Sequence, residues 1–150
     1  MKHHQMKIKH LILIILSLIL VVPAVYADDY QDGVDAFDKK DFKAALKKLK
    51  PLAEKGHASA QDKLGEMYEN GKGVPQNYKT ALRWYTLSAD QGYCFSQYNL
   101  GVMYAEGQGV RQDYVMAHMY WSIVAISGDK GAIRNRDSVQ KSMSPSQIVK

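Results

Sequence analysis

Between residues 58 and 92 the apolar and small positions fall at helical spacing. From Ala58 to Asn70, Leu64 and Tyr68 stand four apart on one face, and Gly65 beside them leaves room for another helix to approach. Gly71 is expected as a left-handed cap, and Gly73-Val74-Pro75 as a turn that no helix crosses. A second helix is predicted to start at Asn77, a good N-cap, and to end at Gly92. It sets Tyr78, Ala81, Tyr85 and Ala89 in one stripe, which Leu82 and Trp84 widen. The pair reads as a helical hairpin whose alanines allow a close crossing and whose aromatics fill the gaps between hairpins.

The same pattern returns 36 residues later. Gln61–Gly92 laid on Gln97–Gly128 gives 13 identities, against about two for unrelated segments of this composition. Among them are Leu64 with Leu100, Gly65 with Gly101, Tyr68 with Tyr104, Gly73 with Gly109, Ala81 with Ala117 and Ala89 with Ala125. Such a period predicts a solenoid of units that cannot bury their apolar faces alone, and it points to recognition rather than catalysis. A partial copy precedes them: Phe42, Ala45, Leu46, Ala53 and Gly56 match Tyr78, Ala81, Leu82, Ala89 and Gly92 at the same offset. Asp41–Lys55 is therefore predicted as a second helix, bent by Pro51, with Asp29–Lys39 as its partner in a shorter-turned hairpin. At the other end, Gly131–Lys141 predicts one closing helix, and Ser144-Pro145 starts another that ends in a frayed tail.

Residues 1–27 have a different layout. Lys2, Lys7 and Lys9 precede the apolar run Leu11–Val22, and Val25-Tyr26-Ala27 follows Pro23, which is the arrangement of a secretory signal peptide cleaved after Ala27. The run is shorter than the roughly 20 residues that span a bilayer; an uncleaved anchor is the alternative. Export changes the charge argument, because the leader takes three of the 20 basic residues and none of the 15 acidic ones, so +5 becomes +2. Such a balance does not call for nucleic acid. Membrane contact is expected only through the leader. The lone Cys94 rules out an internal disulfide, so stability must come from packing.

The run Leu64-Gly65-x-Met67-Tyr68-x-x-Gly71-x-Gly73-Val74-x-Gln76-x-Tyr78-x-x-Ala81-x-x-Trp84-Tyr85-x-x-x-Ala89-x-x-Gly92 resembles the Sel-one-like repeat (SLR) family, relatives of the tetratricopeptide repeats. Its second occurrence, Leu100–Gly128, has Arg111 for Pro75 and Tyr120-Trp121 for the aromatic pair. The resemblance implies an all-α fold, an α/α superhelix or solenoid of about three hairpins plus a C-terminal capping helix. Its units would be a tetratricopeptide-like hairpin at 28–56, repeats at 57–92 and 93–128, and a cap with its tail at 129–150. It also implies a concave surface lined by the first helix of each hairpin and used to hold a protein or peptide partner. Exported members of the family are typically envelope or secreted adaptors. Cysteine-rich relatives that bind or hydrolyse β-lactams carry paired cysteines in each repeat, which this chain lacks.

The side chains give no catalytic set of their own, and no cofactor or metal is expected. Beyond the leader only His57 and His118 remain, at non-equivalent repeat positions. Gly71-Lys72-Gly73 recurs as Gly107-Gln108-Gly109, so these glycines serve the turn. Lys40, Lys43, Lys47 and Lys50 share one helical face, read as a solvated face that the Asp-rich first helix can neutralise. Partner contact is expected where the repeats differ. Family geometry places Asp62, Glu66 and Glu69 near the groove, and their counterparts are Tyr98, Val102 and Ala105; Cys94 extends the apolar stripe Cys94-Tyr98-Val102. An apolar anchor with an acidic rim suits peptide or helix recognition, unless the stripe packs under the C-terminal helix. On the first reading, Asp at Tyr98 and Val102 abolishes binding and leaves the fold intact. The function expected is an exported interaction adaptor or regulator, with an envelope enzyme acting on β-lactams or peptidoglycan, or a structural subunit of an envelope complex, as alternatives.

Overall fold

The computed structural model describes residues 29–148. Helix α1 covers residues 29–38 of these, followed by α2 (Phe42–Glu54), α3 (Ala58–Asn70), α4 (Tyr78–Ala89), α5 (Cys94–Glu106), α6 (Tyr114–Ala125), α7 (Lys130–Gln140) and the short α8 (Pro145–Ile148). The described residues contain helices and turns and no strand. The leader and its cleavage after Ala27 lie outside them, as does the end of the tail. No helix among the described residues is long and apolar enough to cross a membrane.

Polar side chains start most of the helices by accepting the amides that the first turn leaves free. Asp41 accepts from Ala44 N–H, Asn77 from Thr80 N–H and Asp129 from Ala132 N–H; Asp113 accepts from both Val115 and Met116. The ends of α3 and α5 are marked by Gly71 and Gly107 in left-handed conformation, each donating its amide to the carbonyl of Met67 or Met103, four residues earlier. The first hairpin has the shorter turn, and there Lys40, at φ 62°, takes the left-handed place that glycine fills elsewhere. Helix α2 runs on through Pro51 to Glu54, since the proline lies in its last turn and removes a single ladder bond.

One contact recurs at the centre of every hairpin. A Cβ on Gly65 would come within 2.5 Å of the Tyr85 ring, and one on Gly101 within 2.5 Å of the Trp121 indole. In the first hairpin Gly33 meets Leu49 in the same way. A residue without a side chain thus lets a large side chain of the second helix lie flat against the first. Around these crossings Leu64, Met67, Leu100 and Met103 are fully buried, each worth roughly 1.5–3 kcal/mol of apolar transfer. Successive hairpins stack through their turns: Gly73 rests on the backbone of Phe42 at the start of α2, and Gly109 on that of Tyr78 at the start of α4.

The repeated glutamines serve the backbone. Gln61 donates to Ala53 O and Gln97 to Ala89 O, each satisfying a carbonyl at the end of the preceding helix. Gln76 and Gln112 each bridge the turn, donating to Glu69 O or Ala105 O and to the Tyr78 or Tyr114 hydroxyl. Helix α7 then closes the series, with Ala132 and Val139 buried against Ala117, Trp121 and Val124. At α8, the side-chain carbonyl of Gln147 accepts from both the amide and the hydroxyl of Ser144.

Candidate functional site

The three acidic residues expected at the groove of α3 all have partners within the molecule. Asp62 is 9% exposed and accepts a 2.6 Å hydrogen bond from the Ser96 hydroxyl, which joins α3 to α5. Burial pushes its carboxyl above the usual carboxylate range, although the Ser96 bond opposes the shift. Glu66 is held by Lys63 and by Lys72 at 2.8 Å each. Burial works against its charge too, but the hydrogen bonds and charges of the two lysines outweigh it and lower its pKa. Both ammonium groups also lie over the Phe37 ring, 4.7 and 4.6 Å from its centroid, so Glu66 clamps a cation pair onto α1. Glu69 accepts a 2.7 Å bond from the buried Tyr85 hydroxyl, whose pKa burial and the Glu69 charge drive strongly upward.

The counterparts on α5 are covered by α7. Asn135 donates to the Tyr98 hydroxyl at 2.9 Å, and Trp121 donates its indole N–H to Tyr98 O at 3.1 Å. Val102 and Ala105 pack in the same cluster, beside Trp121 and Val139. The structure thus places Tyr98 and Val102 where α5 meets α7, the arrangement of the packing alternative. Substituting both with Asp therefore strikes the fold itself.

Other singled-out residues have local roles. His57 caps α3 through Nδ1, accepting from Ala60 N–H, and stacks on Tyr30 at 4.9 Å. His118 lies 3.5 Å from the Ser122 hydroxyl, one turn along α6. Among the described residues no three His, Cys, Asp or Glu side chains gather as metal ligands. The lysine face of α2 is exposed, and the α1 aspartates pair with a residue beside it: Lys48 reaches Asp29 at 2.7 Å and Asp32 at 3.1 Å.

The Sel1 repeat family model matches residues 58–93 and 94–129. The chain belongs to the Sel1-like repeat family. A solved structure described as c5321, a protective antigen present in uropathogenic Escherichia coli strains displaying an SLR fold, is 28% identical. It superposes with a TM-score of 0.77 over 82% of this chain and 27% of its own length. A Sel1 repeat protein from Oxalobacter formigenes is 27% identical, with a TM-score of 0.68 over 71% of this chain and 44% of its own. This chain therefore spans less than half the length of either relative. No curated protein matches the sequence.

Within the second Sel1 repeat an open cleft remains beside the start of α5. It measures about 360 Å³ and lies between α5, the end of α6 and the start of α7; Cys94, Phe95, Tyr98, Val124 and Asp129 contribute to its walls. Phe95 is 63% exposed, with its ring 5.6 Å from that of Tyr93. Cys94 is exposed as well, so two residues of the expected apolar stripe, Cys94 and Tyr98, line one cleft while Val102 sits deeper under α7. Sequence reasoning passed over Phe95. Its signal was available in the Sel1 register, where the matching position of the first repeat is Ser59.

Proposed function

We propose that this Sel1-repeat protein is an exported adaptor or regulator that binds a protein or peptide partner along its first helices. The partner seats an apolar side chain in the cleft beside Phe95. The fold supports the general class, since Sel1 repeats commonly serve as protein-interaction scaffolds. The N-terminal pattern ending at Ala27 supports export, and the protective antigen among the structural neighbours fits an exported chain. The observation that carries the binding reading is Phe95: a large aromatic left 63% exposed at the mouth of a cleft that already has apolar walls. Aromatic anchors in such clefts dominate recognition energies. The acidic residues of α3 have internal partners, and at the cleft itself the acidic group is Asp129, one oxygen of which caps α7.

The test is crosslinking in intact cells followed by capture, run in parallel on the natural chain and on Phe95→Asp. A crosslinked partner should fall by about tenfold or more in the variant, with helicity and melting temperature unchanged because Phe95 is exposed. A partner retained at full yield by Phe95→Asp would remove the cleft from the account.

A further inference from the structure

The outer sides of the three second helices can be compared position by position, because α2, α4 and α6 begin 36 residues apart at Phe42, Tyr78 and Tyr114. The turns set these starts beside one another: Gly73, just before α4, rests on Phe42, and Gly109, just before α6, on Tyr78. At two matching outer positions α2 carries Lys43 and Lys47, and α4 carries Lys79 and Arg83, all exposed. The aspartates of α1, expected to neutralise this side of α2, reach only Lys48, at 2.7 and 3.1 Å. Lys50 has Glu54 at 3.9 Å. Lys43, Lys47, Lys79 and Arg83 have no carboxylate partner among the described residues. With Lys50, and against Glu54 and Asp90 at the far ends of the two helices, they give this side more positive charge than the net +2 expected once the leader is removed.

The basic side continues into an apolar one. On α6 the two matching positions are Val115 and Met119, and residues 114–128 contain no Asp, Glu, Lys or Arg. Met119, Ile123 and Ile126 are 40%, 42% and 86% exposed, and spacings of four and three set them in one stripe. Leu87 of α4, at the position matching Ile123, is exposed as well. From this juxtaposition we infer that the outer side of α2, α4 and α6 docks on an anionic lipid bilayer. The bases of α2 and α4 meet the headgroups, and the α6 stripe enters the boundary between headgroups and acyl chains. Interfacial segments combine these two features: basic residues drawn to anionic headgroups and apolar ones that insert beside them. It is the pairing that selects the occupant. A soluble polyanion would use the bases and leave Ile123 and Ile126 in water, whereas an apolar protein patch would cover the stripe and leave four cations unanswered beside it. The assignment is independent of the cleft at Phe95, none of whose walls belongs to the basic side.

Co-sedimentation with vesicles tests it, using the exported protein, purified, and phosphatidylcholine vesicles with and without about 30% phosphatidylglycerol. Binding to the anionic vesicles should exceed that to neutral ones by about tenfold or more, and should fall as salt rises from about 0.1 M to about 0.5 M. Each basic residue near such a surface contributes about fivefold, so Lys43→Glu with Lys47→Glu should weaken binding by more than about tenfold. Ile123→Ser should weaken it by about fivefold. Both variants should keep their helicity, since the side chains changed are exposed. Lys130→Glu with Arg134→Glu makes an equal charge change at exposed positions of α7 and should leave binding unchanged. No preference for anionic vesicles, indifference to the α2 or the Ile123 variant, or an equal loss in the α7 variant would each overturn the assignment. So would retention on immobilised heparin without vesicle binding, which would mark the bases as a site for a soluble polyanion.

Discussion

In the first Sel1 repeat the inner side of α3 holds Asp62, Glu66 and Glu69; in the second, the same positions of α5 hold Tyr98, Val102 and Ala105. The buried frames beneath are alike, with Gly65 against Tyr85 in one and Gly101 against Trp121 in the other. The difference follows from what each helix meets. Around α3, hydroxyls come from Ser96 on α5 and Tyr85 on α4, and ammonium groups from Lys63 on α3 itself and Lys72 in the turn after it, so carboxylates there are satisfied. Helix α5 meets α7, which covers it with Ala132 and Val139, and apolar residues gain more from that burial. Polarity at these positions thus follows the surroundings of each first helix, while the crossing within each hairpin is the same in both repeats.

The strongest way to break this comparison is to give α5 the charge of α3. Tyr98→Asp with Val102→Asp places two carboxylates where α7 offers no cation, and should cost about 3–5 kcal/mol in urea unfolding, with loss of the α7 contact. A change below about 1 kcal/mol would mean that α7 does not hold α5 as described. Next in size is the crossing itself. Gly65→Ala and Gly101→Ala should each cost about 1–3 kcal/mol, because the added carbon meets a ring that has to move. For Gly101→Ala the Trp121 fluorescence should shift as its bond to Tyr98 O is strained. Markedly unequal losses would show that the two repeats do not share one packing.

The smallest effects separate the acids of α3 from one another. Asp62 has its folded pKa raised, chiefly by burial. Its contribution to stability is therefore greatest below the unfolded value of about 4 and is lost as pH rises through the folded value. Glu66 has its folded pKa lowered by its lysines, so its contribution is present above the unfolded value and is lost as pH falls through the folded one. At pH 7 Asp62→Asn should stabilise by up to about 1 kcal/mol, since an amide still accepts the Ser96 bond. Glu66→Gln should destabilise by about 1 kcal/mol, discounted for its partial exposure. Denaturation curves at pH 4 and pH 7 check both signs; a shared sign would show that burial, not pairing, governs the whole face.

The frame of the fold was legible in the sequence. The 36-residue register, the glycine ends at Gly71 and Gly107 and the N-cap at Asn77 are local signals, written in residue type and spacing. The role of Gly65 as a point of close approach could also be anticipated, and the structure adds the ring it meets. The candidate site was legible only in part. Comparing the repeats singled out Cys94, Tyr98 and Val102, but it could not tell the residue that α7 buries from the one left open, and it passed over Phe95. It placed Asp62, Glu66 and Glu69 near the groove but could not show that each has a partner within this chain, such as Ser96 at 34 residues' distance for Asp62.

By itself the sequence determined the helices, their ends and the repeat that stacks them, because helical period, capping and left-handed glycine are properties of a few neighbouring residues. The tertiary structure alone decided which mismatches between the repeats are structural and which are open to a partner. That distinction depends on what lies across from each side chain: Ser96 for Asp62, Asn135 for Tyr98, and for Phe95 mostly solvent. Solvation and pairing are set by groups far apart along the chain, and they become fixed only when the hairpins stack.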